Sequence, residues 1–474
     1  MTDVFSGDPL ARGADLVAFV LDADAAPDDP ALATALADAK TCKGAALVVR
    51  ADGSRTAVVV PGDQPGLERW RWAGASAAKA AASVEAGSVV IVAPDGADAD
   101  TVGALVEGFR LGAYRYDDFR TGDRPPTASL AVRASDEHAD TVRAADLRAE
   151  ATNWARDLVN TPPDAKMPAA LADRIAARLK GTGLTCRIWD EDEIAEHQMG
   201  GLLGVNRGSL DPARFVILEW APEGHATDAP VVLVGKTVTY DTGGLSLKPT
   251  KNSMDKMKAD MGGGAAVAGA MLGAATLGLP VRVIALLPMS DNRPGGRAYA
   301  PGDVLTMHSG ATVEVMNTDA EGRLLLADAL SYARELSPAW VLDAATLTGA
   351  QGVALGERVA AVIARPDDRA LADRVHAAGE ATGDLAWPLP LYPHYREQLK
   401  SDTADLSNVG GAMAGTITAA AFLEAFTRTD DEPAYPWVHV DLARPAFLDA
   451  AYGYRPKGGT GFGVRLLLDL LADG

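Results

Sequence analysis

Cysteine is nearly absent from this 474-residue chain: Cys42 and Cys186 are its only two. They are too few for a disulfide framework and too far apart for a CxxC metal or redox pair, so a reducing compartment is expected. Histidine is sparse too, with seven residues scattered singly, and the lack of an H-E-x-x-H pair excludes the common helical zinc-protease site. No G-x-S-x-G elbow occurs, which leaves a serine hydrolase without its nucleophile signature. Gly235-Lys236-Thr237 looks like the end of a phosphate loop, but Pro230 stands where the opening glycine belongs and a strand lies between. There is no run of Lys and Arg, and the formal charge of −20 repels phosphate backbones and anionic lipid. No apolar stretch is long enough to cross a bilayer. The start, Met1 to Leu10, carries Asp3 and Asp8 and lacks the basic-then-apolar pattern of a signal peptide. The expected location is the cytoplasm.

What is present is an ordinary globular composition, 48% hydrophobic and 23% charged, on a chain long enough for two domains. Short apolar runs at Leu16–Leu21, Ala45–Arg50, Thr56–Val60 and Ser88–Ala93 alternate with alanine-rich amphipathic stretches such as Ala31–Ala39. That rhythm predicts a small α/β domain. The charged, proline-containing segment Arg120–Pro126 reads as a linker marking its end. After a strand at Ser129–Val132, helical spacing over Asp136–Leu158 stops before Asn160-Thr-Pro-Pro163 and predicts a long helix joining the halves. The expected organisation is an amino-terminal α/β domain over 1–135, a connecting helix over 136–160 and a larger catalytic domain over 161–474. Strands are predicted in the latter at Thr185–Trp189, Phe215–Trp220, Val231–Val234, Val281–Leu287, Thr312–Met316 and Trp340–Ala344, with helices at Gly264–Ala275 and Arg323–Arg334. A mostly parallel sheet covered by helices on both faces follows.

Polar residues cluster just after two of these strands. Gly235 to Lys248 follows Val231–Val234 and contains Asp241 before Gly243-Gly244; Asp260 precedes a glycine-rich helix start. In open α/β sheets, ligand crevices form at the carboxyl ends of strands. The second cluster, Val313 to Arg323, carries Asp319 and Glu321 one residue apart, so both side chains can point the same way from an extended segment. Converging carboxylates without histidine or cysteine make a hard, oxygen-rich pocket whose repulsion divalent cations would relieve. The charge pattern alone leaves open a network of interlaced salt bridges at a domain interface.

These segments resemble the leucine aminopeptidase family of metallopeptidases, whose diagnostic run Asn317-Thr-Asp-Ala-Glu-Gly-Arg323 appears in full. The likeness extends over Gly235-Lys236, Asp241-Thr-Gly-Gly244, Lys248-Pro249, Met257-Lys-Ala-Asp-Met261 and Pro301-Gly-Asp303. It also takes in Ala155–Pro163, Ala345–Ala350, Asp405–Gly411 and Thr460–Arg465. It covers essentially the whole second domain; the first is a weaker, domain-level likeness.

The resemblance implies a metal-dependent aminopeptidase acting on peptides with a free amino end, by a bridging hydroxide on two adjacent divalent ions, zinc or manganese. Asp241 and Glu321 would bridge them, Lys236 and Asp260 would complete one site, and Asp319 would complete the other. A lysine ligand must be neutral, and two dications supply the field that lowers its pKa. Lys248 would donate to the developing oxyanion, and Arg323 would hold a bicarbonate serving as general base. Met257, Asn317, Thr346, Leu347 and Gly349 would line the pocket for the first side chain. A homohexamer is implied as well. Two features depart from the family pattern: the span from Lys248 to Asp260 is one residue longer, and Arg444 stands where glycine is more common. A DNA-binding architectural role is the rival reading, opposed by the net charge; a non-catalytic scaffold and a two-metal phosphoesterase are further rivals, and the full ligand set and the lysine ligand speak against them.

Overall fold

The structure, a computed structural model, describes residues 1–42, 44–50, 53–122, 127–428 and 434–473. Contacts divide the chain into two units, Met1–Asn153 with Asp449–Lys457, and Trp154–Leu448 with Gly458–Gly474.

In the first unit, strands β1 (Asp3–Phe5), β2 (Leu16–Val20), β3 (Ala45–Val49), β4 (Arg55–Val59), β5 (Ser88–Val92) and β6 (Ser129–Arg133) form one sheet in the order β1-β6-β5-β2-β4-β3. All neighbours are parallel except β3 with β4. Helices α1 (Pro30–Cys42), α2 (Glu68–Ser83) and α3 (Ala99–Gly112) connect them. The wealth of small residues has a packing reason. A Cβ on Gly74 would lie 2.1 Å from the Leu105 carbonyl oxygen, and one on Gly108 would lie 2.0 Å from that of Arg71, so only glycine lets α2 and α3 approach so closely. Residues 123–126 of the expected linker lie outside the described residues, but β6 beyond them pairs with both β1 and β5. The charged segment therefore interrupts this sheet instead of ending the unit. Residues 449–457 also belong here, where the Tyr454 hydroxyl donates to Glu68 at 3.0 Å and Arg455 pairs with the same carboxylate.

Helix α4 (Ala139–Asn160) carries the chain into the second unit. There follow α5 (Pro168–Leu179), β7 (Thr185–Trp189), α6 (Glu191–Glu196), α7 (Gly200–Asn206), β8 (Arg214–Trp220), β9 (Val231–Gly235), β10 (Thr237–Asp241), α8 (Gly262–Leu277) and β11 (Val283–Asn292). Next come β12 (Val304–Thr306), β13 (Thr312–Glu314), α9 (Gly322–Ala333), β14 (Trp340–Ala345), α10 (Gly349–Leu355), β15 (Ala360–Ala364), α11 (Arg369–Thr382), β16 (Ala386–Leu389), β17 (Leu406–Ser407), α12 (Gly415–Glu424), β18 (Trp437–Asp441) and, after a short hairpin, α13 (Val464–Ala472). The main sheet runs β16-β15-β18-β14-β9-β11-β8-β7, with β10 added beside β11. Its centre, β18-β14-β9-β11, is parallel, while β8 joins β11 and β15 joins β18 antiparallel.

Three expectations change. The strand expected at Val281–Leu287 runs on to Asn292, because buried Ser290, Asp291 and Asn292 lie on the part that pairs with β10 or makes internal hydrogen bonds. The strand expected at Thr312–Met316 stops at Glu314 and lies in a separate small sheet, β12-β13-β17. Strands β10, β15, β16 and β18 and helices α11, α12 and α13 were not anticipated.

Helix α8 explains how the strand ends are set. A Cβ on Gly263 would lie 1.9 Å from the Ala344 carbonyl oxygen and one on Gly264 2.1 Å from Thr237 Oγ1. The helix therefore presses directly onto β14 and the start of β10, and its amino end brings Asp260 to the strand termini.

Candidate metal centre and active site

The carboxyl ends of β9, β10, β11 and β14 converge, as expected for a ligand crevice in a parallel sheet. Lys236 leaves β9, Asp241 ends β10, Asn292 ends β11 and Thr346 follows β14. Asp319 and Glu321 arrive from the loop before α9, and Asp260 from the end of the short 3₁₀ segment before α8.

Two lysines and four carboxylates meet there. Lys236 Nζ lies 2.8 Å from Asp260 Oδ2 and 2.9 Å from Glu321 Oε1, and donates to the Thr346 carbonyl at 2.9 Å. Lys248 Nζ lies 2.8 Å from Asp241 Oδ2 and also pairs with Asp319 Oδ1. Lys248 thus touches two of the carboxylates. Oxygens of Asp241, Asp319 and Glu321 all lie within 4.8 Å of one another. Lys236, Asp241, Asp260 and Glu321 are buried, whereas Asp319 is partly open.

The electrostatics show a surplus of negative charge, since four carboxylates face two ammonium groups. Burial and the neighbouring Glu321 hold the Asp241 carboxyl above its ordinary range against the pull of Lys248 and Lys236. Burial likewise raises Asp260 and Asp319, opposed chiefly by Lys236 and Lys248 respectively. For Glu321 burial acts upward, but Lys236 and Lys248 outweigh it and the carboxyl falls. Burial pulls both lysines down and the surrounding carboxylates push them up further. Asp260 Oδ2 and Asp319 Oδ1 are buried and ion-paired without a well-directed hydrogen bond. Such oxygens fit a hard divalent cation.

The backbone is shaped to the cluster. Gly243 and Gly244 take φ of 85° and 61°, and a Cβ on Gly243 would sit 2.8 Å from Asp319 Oδ1. Gly322 leaves no room either: a Cβ there would fall 2.5 Å from Lys236 Nζ.

Arg323 is buried at the start of α9, with Nη1 donating to the Asn408 carbonyl at 2.7 Å and Nε buried without a partner. Burial lowers it to about 10. Thr346 Oγ1 donates to Asp260 Oδ1 at 2.8 Å, and the Leu347 amide donates to Asp441 at 3.2 Å. Gly349 opens α10, and a Cβ there would meet nothing within 4 Å. Met257 is half-buried in the segment before Asp260. The Asn317 side chain accepts from the Asp319 amide at 2.9 Å, so it shapes the turn carrying a carboxylate. Within the longer span, Asn252 has a φ of 62° and the Met254 amide returns to the Pro249 carbonyl at 3.0 Å. Arg444 is exposed; its amide donates to Gln351 at 3.0 Å and its stem lies against Gly352.

Several residues escaped the sequence reading. Asn292 Nδ2 donates to Asp241 Oδ1 at 2.8 Å and to the Thr318 carbonyl at 2.9 Å, and the Tyr299 hydroxyl donates to that same carbonyl at 2.8 Å. Asn408 Oδ1 accepts from the Met316 and Asn317 amides. The polar ending Ser290-Asp291-Asn292 on an apolar strand was the available signal for the first; for Tyr299 there was none.

The oxygen-rich carboxylate cluster at the strand ends of the second α/β unit defines the class, an α/β protein with a site suited to divalent cations. Comparison with protein families matches residues 153–468 to the catalytic domain of the cytosol aminopeptidase family and residues 33–123 to its N-terminal domain. A probable cytosol aminopeptidase of Geobacter sulfurreducens is 44% identical over 414 residues, 85% of this chain and 82% of its own. One from Chlorobaculum tepidum is 47% identical over 382 residues, 77% of this chain and 74% of its own. Among solved structures, the bottromycin maturation enzyme BotP in complex with Mn superposes with a TM-score of 0.86 at 38% identity, covering 97% of this chain and 99% of BotP. The chain belongs to the cytosol aminopeptidase family, metal-dependent hydrolases that act on peptides. Among the described residues no helix is long and apolar enough to cross a membrane.

Proposed function

We propose that the chain removes single residues from the free amino ends of peptides at a centre for two divalent ions, manganese or zinc. The observation that carries this reading is the meeting of Lys236, Asp241, Asp260, Asp319 and Glu321 in one pocket. Four carboxylates match the charge of two dications once Lys236 is neutral. Asp241 and Glu321 would bridge, Lys236 and Asp260 would complete one position, and Asp319 the other. When bound, two such ions acidify a water and polarise the scissile carbonyl.

The chain's own residues supply the rest. Asp260, held by Thr346, receives the substrate's amino terminus, which confines cleavage to the first peptide bond. Lys248 is close enough to the carboxylates to donate toward the oxygen that becomes negative in the transition state. Arg323, with Nε free, holds bicarbonate as the general base. Met257, Asn317, Thr346, Leu347 and Gly349 form the wall around the first side chain, Asn317 chiefly through the turn it shapes. The assembly is a homohexamer working in the cytoplasm.

The test is hydrolysis of a panel of amino-acid anilides and dipeptides after chelation and stepwise return of each metal. Activity lost on chelation and regained with Mn²⁺ or Zn²⁺ supports the reading. Activity indifferent to chelation, or an Asp319→Ala variant with full turnover, contradicts it.

A further inference from the structure

Lys166 is fully buried, and among the described residues no carboxylate pairs with it. Its Nζ donates to the carbonyls of Leu158 at 3.0 Å, Val159 at 2.8 Å and Lys258 at 2.6 Å. Each of the three ammonium protons therefore has one acceptor. Leu158 and Val159 lie in the last turn of α4, where carbonyls have no partner within the helix and the helix dipole favours a cation. Lys258 completes the arrangement from the other side, its Nζ donating to the Asn160 carbonyl at 3.1 Å. The two lysines thus cap three successive carbonyls of α4, and Lys258 is gripped by both its carbonyl and its side chain. Burial and the nearby cations Lys258 and Arg174 push the Lys166 pKa well down, the cost of placing this charge here.

Lys258 stands two residues before Asp260, in the short 3₁₀ segment Met254–Ala259 that also carries Met257. The Asp260 amide returns to the Met257 carbonyl at 3.2 Å, which ties the segment to the residue that carries the carboxylate. An apolar residue at position 166 would fill the same space without burying a charge, but would leave the segment tied to the end of α4 only through the hydrogen bond from Lys258 to Asn160. We infer that Lys166 is a positioning residue for the metal centre: its ammonium acts as a built-in monovalent cation that joins the α4 terminus to the Lys258 carbonyl and thereby fixes Asp260. This rests on the two-metal reading above.

The experiment is calorimetric titration of the metal-stripped full-length protein with Mn²⁺, for the wild type, Lys166→Met, Lys166→Ala, and Leu179→Ala as a control for buried-core damage elsewhere in the same unit. Loss of residues that orient metal ligands costs about 10–100-fold in metal affinity, so Lys166→Met should bind one of the two ions at least about tenfold more weakly. Leu179→Ala should lower the unfolding temperature and leave both affinities as in the wild type. In Lys166→Ala the vacated carbonyls suit an ion of the size of K⁺ or NH₄⁺. Either salt should recover part of the lost affinity, and tetramethylammonium should not. Wild-type Mn²⁺ affinity in a folded Lys166→Met that merely melts lower would overturn the inference and leave the two-metal reading intact. A wild type that takes up no Mn²⁺ would sink both. Should Lys166→Met fail to fold, Lys166→Ala in K⁺ or NH₄⁺ against tetramethylammonium carries the test, and an Mn²⁺ affinity equal to the wild type in tetramethylammonium counts against the inference.

Discussion

Asn292 Nδ2 lies 2.8 Å from Asp241 Oδ1 and shares its donors with the Thr318 carbonyl. One amide group therefore orients a central carboxylate and ties the end of β11 to the loop that delivers Asp319. Asn292→Ala should weaken metal binding about 10–100-fold, the usual cost of losing a residue behind a ligand. Titration with Mn²⁺ measures it; an unchanged affinity would mean that Asp241 is held well enough by the Gly243 amide and Lys248, each 2.8 Å away.

Gly322→Ala tests the close packing of Lys236. The added methyl would fall 2.3 Å from Lys236 Cε, and since the obstruction is the end of a long side chain, Lys236 should swing aside with the fold retained. The expected outcome is loss of most aminopeptidase turnover with a small change in unfolding temperature. Full turnover would show that the position of Lys236 is unimportant.

Asp98 caps α3 by accepting from the Thr101 amide at 2.8 Å. Asp98→Ala should cost about 1 kcal/mol of stability at neutral pH. The Thr101 hydrogen bonds hold its carboxyl below 3.8 in the folded chain. A depressed folded value means stability present above the unfolded pKa and lost as pH falls through the folded one. The gap between wild type and variant in denaturant melts should therefore close as pH drops below about 4; a constant gap would contradict the assignment.

Asp328 is fully buried on α9 and accepts from the amides of Leu202 and His308, each at 2.9 Å. Asp328→Asn places an NH₂ group against one of these donors and should destabilise the chain by about 1–3 kcal/mol, the cost of a buried unsatisfied group. Chemical denaturation of metal-free protein reads this directly, and a loss near zero would refute it.

The gathering of the carboxylates was more legible in the sequence than the architecture around them. Asp241, Asp260, Asp319 and Glu321 were readable because each follows an apolar strand or precedes a glycine-rich helix, and strand ends are where parallel sheets place ligands. Their partners were less visible. Tyr299 lies in a loop without periodicity, and its hydroxyl reaches the site only through tertiary packing. Strand β18 escaped because Trp437, His439 and Asp441 place polar groups on a buried face, where His439 bonds Asp343 at 2.6 Å and Asp441 bonds the Leu347 amide. The attachment of residues 449–457 to the first unit depends on Glu68, far away in the chain, and no local pattern announces it.

The most direct measurement is a crystal structure of the manganese-loaded protein with anomalous scattering recorded at the metal edge. The account predicts two anomalous peaks roughly 3.5–4 Å apart, both touching Asp241 and Glu321, with Lys236 and Asp260 at one and Asp319 at the other. A single peak, or peaks away from these five side chains, would contradict it.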